Sequence, residues 1–157
     1  MVERQEASED AVMTRIGQAI MLLHGGDREE ARNRFGALWS ELGADGDALH
    51  RCTLAHYMAD TQDDPGDELA WDLRALTAAE GAGEGRAAEH REIPAVRAFY
   101  PSLHLNLAAD YLKLQRPDSA RIHLQRARAA AESLADDGYG GGVRAAIDRL
   151  ELRLREQ

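Results

Sequence analysis

Cys52, His56 and Asp60 follow one another at four-residue spacing, so a helix through them brings a thiol, an imidazole and a carboxylate onto one face. Imidazole and carboxylate at that spacing make half of a metal site, and a thiol beside an imidazole makes a nucleophile with its base. His104 is the further ligand or base that such a site draws from elsewhere in the chain. A zinc centre needs three or four convergent ligands, and no His-Glu-x-x-His or paired Glu-x-x-His spacing occurs here. The residues therefore favour a packing role for Cys52 and a hydrogen-bonded core position for His104. A small enzyme or metal-binding protein on Cys52, His56, Asp60 and His104 stands as the alternative.

Other groups offer chemistry at the wrong spacing. The turn Asp60, Asp63, Asp64, Asp67 and Glu68 has the oxygens that a hard cation wants, but no Asp-x-Asp-x-Asp-Gly run, and Pro65 stiffens it. Helix capping is the expected job of these carboxylates. Gly81-Ala82-Gly83-Glu84-Gly85 lacks the lysine of a phosphate-cradling loop and reads as a linker, and no serine sits in a Gly-x-Ser-x-Gly setting. Neither a catalytic motif nor a cofactor site is expected. Asn106, Asp110 and Lys113, at i, i+4 and i+7, line a polar stripe, with an Asp110–Lys113 pair of about a few tenths of a kcal/mol. Tyr100, His104, Leu107 and Tyr111 form a separate stripe that should face the next helix.

The 19 Lys and Arg residues against 28 Asp and Glu give a net charge of −9, which repels phosphate backbones and anionic lipid heads. Nucleic acid and membrane are excluded as main partners, and a protein partner of some basic character is favoured by charge complementarity. A single cysteine makes no internal disulfide and no thiolate cage, which fits a reducing cytoplasm. The acidic start lacks the basic and apolar regions of a signal peptide, and the uncharged stretch from Ile16 to Gly26 is too short to span a bilayer.

The elements that must position these groups read as helices. Alanine, leucine, arginine and glutamate abound, aromatic residues make up only 5%, and strand-like alternation is absent, so the expected class is all-α. Val12, Ile16, Ala19, Ile20 and Leu23 mark the first helix, which Gly25 and Gly26 stop. Asp27 with Glu30 is a capping-box spacing opening a second helix, and Asp47 caps a third. The spacing predicts three antiparallel hairpins, at about 9–43, 47–80 and 86–135, with a glycine-rich linker at 81–85 and a terminal helix at about 142–156, in one domain. Pro94 and Pro101 limit helices in the third hairpin, where a clear helix runs from Leu103 to Leu114. Val143, Ile147, Leu150 and Leu154 give the last helix an apolar edge that either caps the stack or pairs with a second copy as a homodimer.

His104, Leu107, Ala108 and Tyr111, followed by Ala120, Leu124 and Ala127, resemble the pattern of a tetratricopeptide repeat, best matched over residues 102–127. The first hairpin resembles it through Gly26-Asp27, Ala31, Phe35 and Leu38, and the second through Leu54-Ala55 and Ala70. The resemblance implies an α-solenoid-like stack that binds a peptide or protein without catalysis of its own. It also implies a groove at Ser102, Leu105, Ala109, Leu112 and Lys113, with Asn106 at its margin. The family's clamp for a C-terminal carboxylate is not implied, since Ile16 and Ile20 hold the positions it needs.

Overall fold

The computed structural model describes residues 2–81 and 92–156. Among the described residues there are seven α-helices and no strand. Helix α1 spans Val2–His24 and ends where Gly26 turns to φ +93°, letting Asp27 N–H return to the Leu22 carbonyl at 2.9 Å. The Asp27 carboxylate accepts from Glu30 N–H and opens α2, Arg28–Leu42, which Gly43 ends at φ +63°. Asp47 caps α3, Ala48–Ala59, by accepting from His50 N–H at 3.0 Å. Helix α4, Pro65–Gly81, begins on its proline with Asp64 accepting from Asp67 N–H at 3.0 Å, so part of the acidic turn serves as a cap. Asp63 of the same turn pairs with Arg28 at 2.9 Å.

Helix α5 spans Glu92–Lys113 and runs through Pro101, rather than starting afresh at Leu103. Proline removes the N–H that would serve the carbonyl four residues earlier and crowds that turn. The carbonyl that loses its partner is that of Arg97, and the adjoining turn is tied from outside the helix: Tyr139 Oη donates to the Ala98 carbonyl at 3.0 Å and lies 2.7 Å from Ser102 Oγ. Pro94 falls in the first turn of α5, where its missing N–H costs nothing. Gln115 at φ +60° ends the following turn, and α6 covers Pro117–Ala131.

The last helix, α7, spans Gly138–Arg155 and so includes glycines expected to form a linker. Asp137 accepts from Gly140 N–H at 2.8 Å, and a Cβ on Gly140 would stand 2.2 Å from the Ala135 carbonyl oxygen. Only glycine allows the helix to start so close to the chain that leads into it. Of the expected linker at 81–85, Gly81 closes α4 and the other positions lie outside the described residues.

Each helix packs on its neighbours in sequence, and α1 also meets α3, α3 meets α5, and α5 meets α7. The core is divided accordingly. Ile16, Phe35, Leu38 and Leu54 join α1, α2 and α3. Cys52, Ala75, Leu76, Leu103 and Leu107 join α3, α4 and α5. Ala108, Leu112, Leu124, Ile147 and Leu150 join α5, α6 and α7. Val143, Ile147, Leu150 and Leu154 are all buried here, so the apolar edge of the last helix is covered within the chain. Among the described residues, no helix is long and apolar enough to cross a membrane.

Candidate functional site

Three helices converge on one polar cluster. Helix α3 contributes His56 and Asp60, α4 contributes Glu68 and Asp72 one turn apart, and α5 contributes Asn106, Asp110 and Lys113. Asp72 and Asp110 are each only 2% exposed, and their carboxyl groups lie against one another. Two ionised carboxylates offer acceptors only, so this contact requires a proton between them. Asp72 holds it: burial, then the bond to Asp110 and the nearby charges of Asp60 and Glu68, push its carboxyl far above the ordinary aspartate range. Burial also raises Asp110, while the hydrogen bond from Asp72 opposes that rise and favours the ionised form. Among the described residues, Asp72 Oδ1 and Asp110 Oδ2 are buried with no other donor to satisfy them than a proton on the facing carboxyl.

Lys113 Nζ donates to Glu68 Oε1 at 2.8 Å instead of forming the expected pair with Asp110. The reason is direction: Asp110 points inward to Asp72, while Lys113, exposed one turn further on, reaches across to α4. Asn106 Nδ2 lies 3.3 Å from His56 Nδ1, and the His56 ring meets Tyr57 and Phe99 edge to face. Burial lowers His56 to about 4, so the ring is neutral. Asp60, the C-cap of α3, is exposed at the edge of the cluster.

The remaining groove candidates are placed differently. Leu112 is 8% exposed and lies in the core between α5, α6 and α7. Leu105 and Ala109 are half-buried against that core, and Ser102 is engaged by Tyr139.

His104 does not join His56. It stands in a column of rings with Tyr100, His123 and Tyr111, at centroid separations of 6.4 Å, 5.3 Å and 5.4 Å along the column. Its Nδ1 lies 3.1 Å from His123 Nδ1, a contact that needs one neutral donor and one neutral acceptor. Burial, with the neighbouring His123 and Arg126 charges, lowers His104 to about 4, and burial lowers His123. A folded value below the unfolded one means that stability is fully present above about pH 6.5 and is lost as pH falls toward about 4. In urea titrations between pH 7 and pH 4.5, His104→Phe should therefore lose less stability than the parent, since the ring stays and the protonation goes. An equal loss in both proteins would remove His104 from the acid response.

Cys52 is fully buried, and desolvation pushes its thiol up to about 12, far from a thiolate. Among the described residues no group of three or more His, Cys, Asp or Glu side chains is placed to hold a metal ion.

Sequence reasoning did not find Glu68 and Asp72 as partners of the α5 stripe. Their own i, i+4 spacing was the available signal, masked by the acidic turn beside them. It also did not find the pairing of Trp39 on α2 with Trp71 on α4, which meet edge to face at 5.3 Å. Arg51 lies over Trp39 and Arg74 over Trp71. Comparison with known proteins finds no match among protein families, curated proteins or solved structures.

Proposed function

We propose that this protein is a non-catalytic interaction module, a tetratricopeptide-like solenoid of three helical hairpins and a closing helix that holds a peptide or helix of a partner protein. The contact pattern carries this reading: each helix meets its sequence neighbours, and α1, α3, α5 and α7 meet one another in series as one layer. Quasi-one-dimensional packing of this kind leaves a long face that a partner can follow. On that layer Leu105 and Ala109 supply half-buried apolar contacts, and Asn106 and Lys113 supply polar ones beside them. The net charge of −9 favours a partner segment of some basic character. The cytoplasm remains the compartment proposed for it.

The experiment is capture from a lysate of the native organism on immobilised protein, repeated with Leu105→Ser and with the double variant Asn106→Ala, Lys113→Ala. Reduced recovery of the same partner, with the circular dichroism melt unchanged, is the expected result. Equal recovery by both variants would move the docking face off α5.

A further inference from the structure

Against the overall negative charge, one recess collects positive charge. It lies between the α2–α3 connection and α4, has a volume of about 440 Å³ and is open to solvent. Ala48 borders it on one side and Leu73, Thr77 and Ala78 on the other, with Arg51 and Arg74 both facing in.

Each guanidinium lies over a tryptophan ring. The Arg51 guanidinium carbon sits 4.2 Å from the centre of the Trp39 ring, and that of Arg74 sits 4.3 Å from the centre of the Trp71 ring. A cation held over a ring face in this way is restrained in position and keeps N–H groups to donate elsewhere. One Arg51 nitrogen donates to the Gly43 carbonyl, which further fixes that side chain. Among the described residues neither guanidinium takes part in an ion pair, although most other arginines of the helix faces do. Two ring-held forks, without an ion pair among the described residues, in one partly apolar recess match a planar oxyanion carried on an apolar body.

We propose that this recess is a docking site for an acidic side chain within a peptide segment of a partner protein. Its carboxylate accepts from Arg51 and Arg74, and the residues flanking it lie on Leu73, Ala48 and Ala78. A monoanion fits better than a phosphate dianion, because the net charge of −9 repels each added negative charge. An open recess suits a side chain whose backbone continues past it, whereas a free small acid needs enclosure on most sides. The site lies on α4 and the α2–α3 connection, apart from the α5 row, and it does not depend on the solenoid reading.

Trp39 and Trp71 are the only two tryptophans of the chain, so all tryptophan emission comes from the rings against which Arg51 and Arg74 lie. The probe is a blocked pentapeptide, Ala-Leu-Glu-Leu-Ala, titrated against the full chain at low salt with tryptophan emission as the readout. Saturable quenching with a dissociation constant of about 1 mM or tighter is expected. The Gln-centred peptide should bind at least about tenfold more weakly, and Arg74→Gln should weaken the Glu peptide by about tenfold with an unchanged melting curve. Arg51→Gln should do the same, with Arg74→Gln deciding the matter if loss of the Gly43 bond disturbs the fold. Equal binding of the Glu and Gln peptides, or undiminished binding by Arg74→Gln, would overturn the proposal. So would free glutamate or inorganic phosphate binding as tightly as the peptide, since either would mark a small-anion site.

Discussion

An Asp72→Asn variant is expected to be more stable than the parent at pH 8 by on the order of 2–3 kcal/mol, with the gap closing toward pH 4. The argument rests on the buried pair. Asp72 keeps its proton in the folded chain because burial and the bond to Asp110 penalise the charged form. In the unfolded chain the same carboxyl titrates near pH 3.9 and is ionised at pH 8. A raised folded value means that the folded state binds more protons than the unfolded one across this window, so stability falls as pH rises above about 4. Each pH unit costs at most about 1.4 kcal/mol, and relaxation around the charged form holds the total over the four units to about half of that limit. Asparagine keeps the shape and an N–H to donate to Asp110, but it has no proton to retain. Urea denaturation at pH 4, 6 and 8 reads the difference directly. A variant less stable than the parent by the same amount at every pH would show that Asp72 and Asp110 do not share a proton. The histidines act with the opposite sign and below about pH 6.5, so the interval from pH 7 to 8 isolates the carboxyl pair.

Leu112→Glu is expected to destabilise the fold by about 3–5 kcal/mol, enough to leave much of a marginally stable domain unfolded at room temperature. Leu112 is 8% exposed and packs with Ala120, Leu124, Ile147 and Leu150 where α5, α6 and α7 meet. Glutamate there loses the buried methyl groups and brings in a carboxyl with no donor prepared for it. The measurement is a urea midpoint by circular dichroism, beside Lys113→Glu as an exposed neighbour on the same helix. If Leu112→Glu melts like the parent, the core around α7 is not formed as described.

The helices were legible in the sequence wherever period, cap and stop residue agreed. Asp27 and Asp47 cap helices as their positions imply, and Gly26 and Gly43 end them in the left-handed region. The departures occur where distant residues compensate for a local rule. Pro101 ends a helix by local chemistry, yet α5 runs through it, and Tyr139 ties the turn from 41 positions away by donating to the Ala98 carbonyl. The glycines from Gly138 to Gly142 are poor helix formers, yet the Asp137 cap and the close approach at Gly140 set the start of α7.

The candidate site was legible by row and not by partner. The spacing of Asn106, Asp110 and Lys113 places them on one stripe, but no pattern along α5 reveals that Asp72 and Glu68 face them from α4. Charge composition was misleading at one place for the same reason. A net charge of −9 says nothing of where Arg51 and Arg74 converge, because that is set by the packing of Trp39 against Trp71.

The serial contacts among the helices also govern how the chain reaches this state. Among the described residues no substantial contact joins helices more than two places apart, so docking steps close short loops and their entropic cost stays small. Such low contact order places folding in about the microsecond-to-millisecond range of helical domains. Any pair of neighbouring helices can begin the process, and α7 completes it by sealing the end of α6 against water.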